Sequence, residues 1–475
     1  MTQEIRNKPT KEKLTERIAS LDFCRGLAII LMTFFHGFHH VFDPTWFIED
    51  PTRILQYNPI FIVPVACLVY LGTWNSFFLL VSVVVNTLTM VRTARKGRDL
   101  KQVVFKNTIT AIFLLIADFI IEKLLYYGYF GNGIRNLSLG NSSAILNHPF
   151  SIHTLRLIAI SLVLTSIVNY FLLRKGGHKK LIRNVIIYCV SAVAIIAATK
   201  YVHLWVDNIS WIIPEGSTGW ASVGVYSAST FFKKWFAVLL GGQLEPLFPF
   251  LGTAFLGAMI GLIVAEPKPY KHFQPILGTA GLLAMITGGI LIAFGFPFIF
   301  AGRPSMPVYF LQIGGQVGLL MSFFRGIEYK GKENFFANHW ISRTFRRWAM
   351  IALSLYAMEI LDVIPEMFWN IIVGQYTDHN FLRRTFGPPQ IGYALLVAIF
   401  SFIWYNGLVK VWAKLNFIFS FEWFLINIQG GFVKTTSNRL NEDIILNKTK
   451  WVTWADEKQI EKISNIKRFQ RRFTN

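Results

Sequence analysis

The sequence is poor in cysteine, in acidic residues and in charge altogether. Its three cysteines, Cys24, Cys67 and Cys189, all lie in or beside apolar segments. That number and placement exclude a disulfide framework and a cysteine-built zinc site. Only 15% of the residues are charged, and 26 Asp and Glu stand against 47 Lys and Arg. There is no Gly-rich loop followed by Lys and Ser/Thr, so ATP-driven pumping is unsupported. No internal repeat is visible. The polar opening, "MTQEIRNKPTKEKLTERIAS", has no small-residue cleavage site behind it, and the first apolar segment is too long for a signal peptide. That segment is expected to be retained.

What the chain has in abundance is apolar sequence. Of its 475 residues 53% are hydrophobic, with 44 Phe and 14 Trp, and the mean hydropathy is +0.43. Runs such as "FFLLVSVVVNTLTMV" (77–91), "AIFLLIADFII" (111–121) and "YALLVAIFSFIWY" (393–405) recur along the chain. A soluble core does not require them; a bilayer does. The expected fold is therefore an all-α, polytopic transmembrane helix bundle.

A net charge of +21 would suit nucleic acid, but its distribution argues against that partner. The basic residues gather in particular loops: around Arg6 to Arg17, Arg92 to Lys101, Arg174 to Arg183, Lys268 with Lys271, Lys330 to Arg347, and in the tail after Phe432. Poorer loops lie between them. Cytoplasmic loops carry excess Lys and Arg, so the alternation reports topology. Helices of about 20 residues fit at 22–42, 72–91, 103–127, 150–173, 184–206, 246–265, 274–299, 307–325, 349–373 and 391–413. About ten spans place both termini in the cytoplasm, with Lys233, Lys234, Arg383 and Arg384 as basic pairs on the outer side. The expected organisation is a basic tail at 1–20, a membrane domain at 21–430 and a second basic tail at 431–475. The Pro-interrupted segment 54–71 reads as an outer interfacial or re-entrant piece. Residues 457–473, "EKQIEKISNIKRFQRRF", suit an amphipathic helix on the anionic inner leaflet.

The first span, "LDFCRGLAIILMTFFHGFHHVF", carries most of the chemistry. Positions i, i+3, i+4, i+7 and i+11 share a helix face. Arg25 and His36 are eleven residues apart, about three turns and roughly 16 Å along the axis. Asp22 precedes Arg25 by three, and His39, His40 and Asp43 follow His36 by three, four and seven. Ionisable groups inside a bilayer are costly and functional by default. His39, His40 and Asp43 also suit the outer headgroup boundary. Histidines at i, i+3 and i+4 resemble a metal pattern, but no carboxylate-plus-water signature accompanies them, and no metal is expected.

The stretch "RIASLDFCRGLAIILMTFFHGFHHVFD" resembles the opening of the heparan-α-glucosaminide N-acetyltransferase catalytic family. The wider transmembrane acyltransferase superfamily carries an Arg and a His separated by ten residues on its first helix, as Arg25 and His36 are. "GTWNSFFLLVSVVVNTLTMVRTAR" resembles that family's second span, "LEPLFPFLGTAFLGAMIGLIV" the Pro-rich start of a later one, and "LSLYAMEI" its C-terminal type of helix. The resemblance implies an acyl-CoA-dependent N- or O-acetyltransferase. Acetyl-CoA would be the acyl donor and a carbohydrate or glycolipid the acceptor. It implies His36 as catalytic base or acyl carrier, and Arg25, Arg92 and Arg95 as cations for the CoA phosphates, which Arg binds bidentately. His40, Asp43 and Arg156 would contact the acceptor, Arg156 holding an anionic one. Asp118 with Glu122, or Glu359 with Asp362, would orient the imidazole of His36. The expected location is the plasma membrane, with homodimerisation open. A proton-coupled secondary transporter is the competing reading, since it too carries ionisable groups inside a bundle.

Overall fold

The computed structural model describes residues 16–42, 58–121, 152–209, 228–242, 244–299, 303–373, 390–432 and 439–456. It is an all-α bundle. Nine of the described helices are long and apolar enough to cross a membrane. They are α1 (Ala19–Val41), α3 (Asn75–Arg95), α4 (Leu100–Phe119), α5 (Thr154–Leu173), α6 (Leu181–Asp207), α8 (Leu247–Val264), α9 (Phe273–Ala293), α10 (Met306–Gly326) and α15 (Ile391–Ala413). Between α1 and α3 lies α2 (Pro59–Gly72), started by Asn58, whose side chain accepts from the Ile60 N–H at 2.9 Å. At 1.5 Å per residue its 14 residues reach about 21 Å, short of a hydrocarbon core of about 30 Å. This agrees with a non-crossing piece. A further helix, α7 (Ala228–Gly241), precedes α8.

The expected ninth span, 349–373, is not one helix. After α11 (Glu333–Asn338) and α12 (Trp340–Met350), the chain breaks at Ile351 and forms α13 (Ala352–Ala357). A 3₁₀ turn follows over Met358–Asp362, then α14 (Val363–Val373). The start of α13 is capped from outside, by the Glu422 carboxylate accepting from the Leu353 N–H at 2.7 Å. The 3₁₀ turn is pinned by the Tyr405 hydroxyl donating to the Met358 carbonyl at 2.8 Å. The last helices are α16 (Phe421–Phe432) and α17 (Glu442–Asn447).

The described segments that flank the bundle meet. Strand β1 (Glu16–Arg17) pairs in parallel with β2 (Lys450–Trp451), and Lys450 Nζ lies 2.7 Å from Glu16 Oε1. The flanking segments of the bundle are therefore on one side, which requires an even number of crossings. Among the described residues, nine long helices together with the broken α13–α14 segment are compatible with that parity, and a basic excess on this side is what cytoplasmic segments carry. The expected tail helix at 457–473 lies outside the described residues.

α1 runs through the protein interior, and two glycine contacts set how closely its neighbours pack. A Cβ on Gly26 would stand 1.8 Å from the Phe345 carbonyl oxygen, so only glycine admits α12 beside Arg25. Likewise a Cβ on Gly281 or Gly314 would meet the other residue's carbonyl at 2.8 or 2.4 Å, which joins α9 to α10. Close backbone approach through small residues is how helices associate where lipid removes the hydrophobic drive. The outer faces of α6 and α9 expose Ile182, Val190, Ile276, Leu283 and Ile286, as lipid-facing surfaces do.

Candidate functional site

A cavity of about 610 Å³ lies alongside α1. Its walls come from α1, the end of α2, α3, α4, α5, α13 and α16. Arg25 and His36 both line it, so the two residues on the helix stripe open into one space about three turns long. Between their levels the wall is largely apolar, with Ile29, Met32, Trp74, Phe77, Phe78 and Leu353 among its residues.

The inner end is cationic. Lys106 and Arg439 line it together with Arg25, and Arg439 lies within electrostatic range of both. Among the described residues, no carboxylate comes within 4.0 Å of these three groups. Glu422 also lines this region, but its oxygens accept from the Leu353 N–H at 2.7 Å and the Ser354 hydroxyl at 2.5 Å. The concentration of positive charge is therefore only partly offset by protein.

A polar belt lies next to the cations, Asn107 directly following Lys106 on α4. Asn107 Nδ2 donates to Asn86 Oδ1 at 2.7 Å and to Ser166 Oγ at 2.9 Å, tying α3, α4 and α5 together. Gln429 Nε2 donates to Thr110 Oγ1 at 2.7 Å, joining α16 to α4. Asn86, Asn107, Thr110 and Gln429 all line the cavity.

The outer end holds His36, His153, Thr154 and Glu245. His153 is the residue preceding α5. Glu245 is fixed there by its own N–H, which donates to the Ile152 carbonyl at 3.0 Å, and by the Thr154 hydroxyl, which donates to Oε1 at 2.9 Å. An imidazole and a carboxylate beside His36 can exchange protons with a bound group and accept its hydrogen bonds.

Other expected site residues are elsewhere. Arg92 donates to the Glu16 carbonyl at 2.7 Å. Arg95 donates to the Ala265 carbonyl at 2.6 Å and pairs with Glu266. Both guanidinium groups thus staple cytoplasmic segments together, and neither lines the cavity. Arg156 is buried and pairs with Asp118 at 2.7 Å; its charge is committed inside the bundle, and it is absent from the cavity wall. His40 also turns away from the cavity, into a buried contact with Asp362 and Glu366. Asp362, expected beside His36, meets His40. Asp43 and Glu122 lie outside the described residues.

Four lining residues escaped sequence reasoning: Lys106, Arg439, His153 and Glu245. Lys106 had a usable signal, a lone cation within an apolar span. His153 and Glu245 sit just before apolar helices, where polar residues are ordinary. Arg439 carries no local signal, since only the return of the tail beneath the bundle brings it near Arg25. Comparisons of the chain with protein-family models, curated proteins and solved structures find no match.

Proposed function

We propose that this polytopic membrane protein is an acyltransferase of the plasma membrane, moving an acetyl group from cytoplasmic acetyl-CoA to an amino or hydroxyl group of a sugar or glycoconjugate. The observation that carries the reading is one cavity with three cations at its inner end and His36 toward its outer end. A CoA molecule is a polyanion at one end and a thioester at the other. Arg25, Lys106 and Arg439 suit its phosphates, because Arg and Lys whose charge the protein only partly offsets form charge-assisted hydrogen bonds with phosphate oxygens. The apolar wall and the Asn86, Asn107 and Gln429 belt suit a thin chain bearing amide groups. The thioester would then lie at the level of His36.

An imidazole titrates near neutrality and so can act as base and then as acid. His36 takes the proton of the acceptor's X–H group as X attacks the thioester carbonyl carbon. The C–X bond forms, the C–S bond breaks, and the departing thiolate receives the proton from His36. Acetyl-CoA and X–H become acetyl-X and free CoA, with no further reactant. Arg92, Arg95 and Arg156 have no part in this scheme, because none of them lines the cavity.

Purified protein incubated with labelled acetyl-CoA and an acceptor sugar tests the reading. His36→Ala should retain CoA binding and lose roughly 10²- to 10⁴-fold in transfer. Lys106→Ala and Arg439→Ala should weaken CoA binding about tenfold or more each, the worth of a charge-assisted hydrogen bond. Wild-type turnover in His36→Ala would sink the mechanism. Proton-coupled uptake of a sugar without acetyl transfer would favour a carrier instead.

A further inference from the structure

Arg439 reaches the cavity from a segment that leads on to the paired strands. Residues 439–456 contain α17 and β2 and fold against the cytoplasmic ends of several helices. Leu440, beside Arg439, and Ile445 and Leu446 of α17 are 7%, 7% and 2% exposed. They belong to one apolar cluster with Ile29 of α1, Trp348 of α12 and Val409 of α15. Ile29 also lines the cavity, so the apolar anchor of the segment adjoins the space that Arg439 enters.

The polar side of the contact is made by α12. Arg343, Arg346 and Arg347 fall at i, i+3 and i+4, on one side of that helix. Arg343 Nη1 donates to Asn447 Oδ1 at 2.9 Å, Arg346 Nη2 to the Ile445 carbonyl at 2.5 Å, and Arg347 Nε to Glu442 Oε1 at 2.9 Å. The Arg346 guanidinium also lies over the Trp451 ring, 4.3 Å from its centroid. Farther along, the Trp454 N–H donates to the Glu328 carbonyl at 3.0 Å. α12 in turn packs on α1 through Gly26 and Phe345, one residue from Arg25. The helix that holds the segment thus abuts the helix that supplies the first cation.

Resting on the reading of Arg25, Lys106 and Arg439 as the phosphate site, we propose that residues 439–456 are a strap whose docking is coupled to donor binding, with Arg343, Arg346 and Arg347 as positioning residues. These three do not line the cavity, so they act on the ligand only through the strap. Undocking the strap withdraws Arg439 and leaves a weaker site of two cations. A ligand phosphate held by Arg439 in turn favours the docked strap. The coupling is reciprocal: the factor by which docking tightens the ligand is the factor by which the ligand tightens docking. That factor is what Arg439 contributes, about tenfold or more for a charge-assisted hydrogen bond.

The test is hydrogen–deuterium exchange of the full-length protein with and without CoA, with CoA binding measured on the same sample. CoA should slow exchange across the strap, where the Ile445, Lys448, Val452 and Trp454 amides are hydrogen-bonded, by about tenfold or more. In Arg439→Ala, saturating CoA should no longer slow it. Glu442→Arg makes the Arg347 contact repulsive and should speed strap exchange and weaken CoA binding; Arg347→Glu in the same chain should restore both. Combined with Arg439→Ala, Glu442→Arg should weaken CoA no further, whereas a merely structural role would weaken it again. Trp451→Ala loosens the strap from its other end and decides if Glu442→Arg does not fold. CoA that binds and leaves strap exchange unchanged overturns the coupling alone. CoA that does not bind removes the phosphate-site reading, and the coupling with it.

Discussion

The Arg156–Asp118 pair makes the sharpest test of how charge is used in this bundle. Arg156 Nη2 and Asp118 Oδ2 are 2.7 Å apart, with side chains 6% and 0% exposed. Replacing Asp118 by Asn keeps an acceptor of similar shape but removes the carboxylate charge that faces the buried guanidinium. Breaking a buried pair from one side commonly costs about 3–5 kcal/mol. At about 1.4 kcal/mol per decade, that lowers the folded-to-unfolded ratio by roughly two to three and a half orders of magnitude. Arg156→Met strands the carboxylate instead and should cost a similar amount. The double variant Arg156→Met/Asp118→Leu removes both charges and should recover most of that loss, because apolar replacements of buried pairs are often neutral. The assay is a double-mutant cycle of unfolding in detergent micelles, where the coupling energy isolates the pair. A near-zero coupling, together with loss of acceptor affinity in Arg156→Met at wild-type stability, would refute the structural role and return Arg156 to the substrate.

Two further outcomes are expected. Gly26→Ala would place a methyl 1.8 Å from the Phe345 carbonyl oxygen, and displacing backbone should cost about 1–3 kcal/mol; thermal unfolding should fall accordingly. Gly289→Ala, with nothing within 4 Å, is the control and should not lose stability. On the cytoplasmic side, burial pushes the Glu328 carboxyl up to about 8, against hydrogen bonds from the Ser20 N–H at 2.9 Å and its hydroxyl. The folded state then binds the proton more tightly than the unfolded chain. This contribution is full below the ordinary carboxylate range and is lost as pH rises through about 8. Unfolding midpoints measured across that window should decline with pH, and Glu328→Gln should flatten the decline; an unchanged slope in the variant would remove Glu328 as its source.

Properties that depend on one segment at a time were legible in the sequence. Long apolar runs determined that the chain enters a bilayer, because a buried backbone there must satisfy its own hydrogen bonds in helices. The alternation of basic loops determined that both ends lie on one side, and the β1–β2 pairing agrees. The spacing of Arg25 and His36 determined that they share a helix face, since helical periodicity is local, and both open into one cavity. Which charges remain available was decided only by tertiary structure. Arg25, Arg92, Arg95 and Arg156 are alike as side chains, yet Glu16, Ala265, Glu266 and Asp118 engage the last three, while Arg25 faces the cavity. Arg439, more than four hundred residues along the chain, joins Arg25 only because the tail folds back beneath the bundle. The same holds for His40 and its carboxylates, which meet because the expected ninth span breaks at a 3₁₀ turn. Neutralisation of a buried charge depends on what another helix presents to it, and no spacing within a single helix encodes that partner.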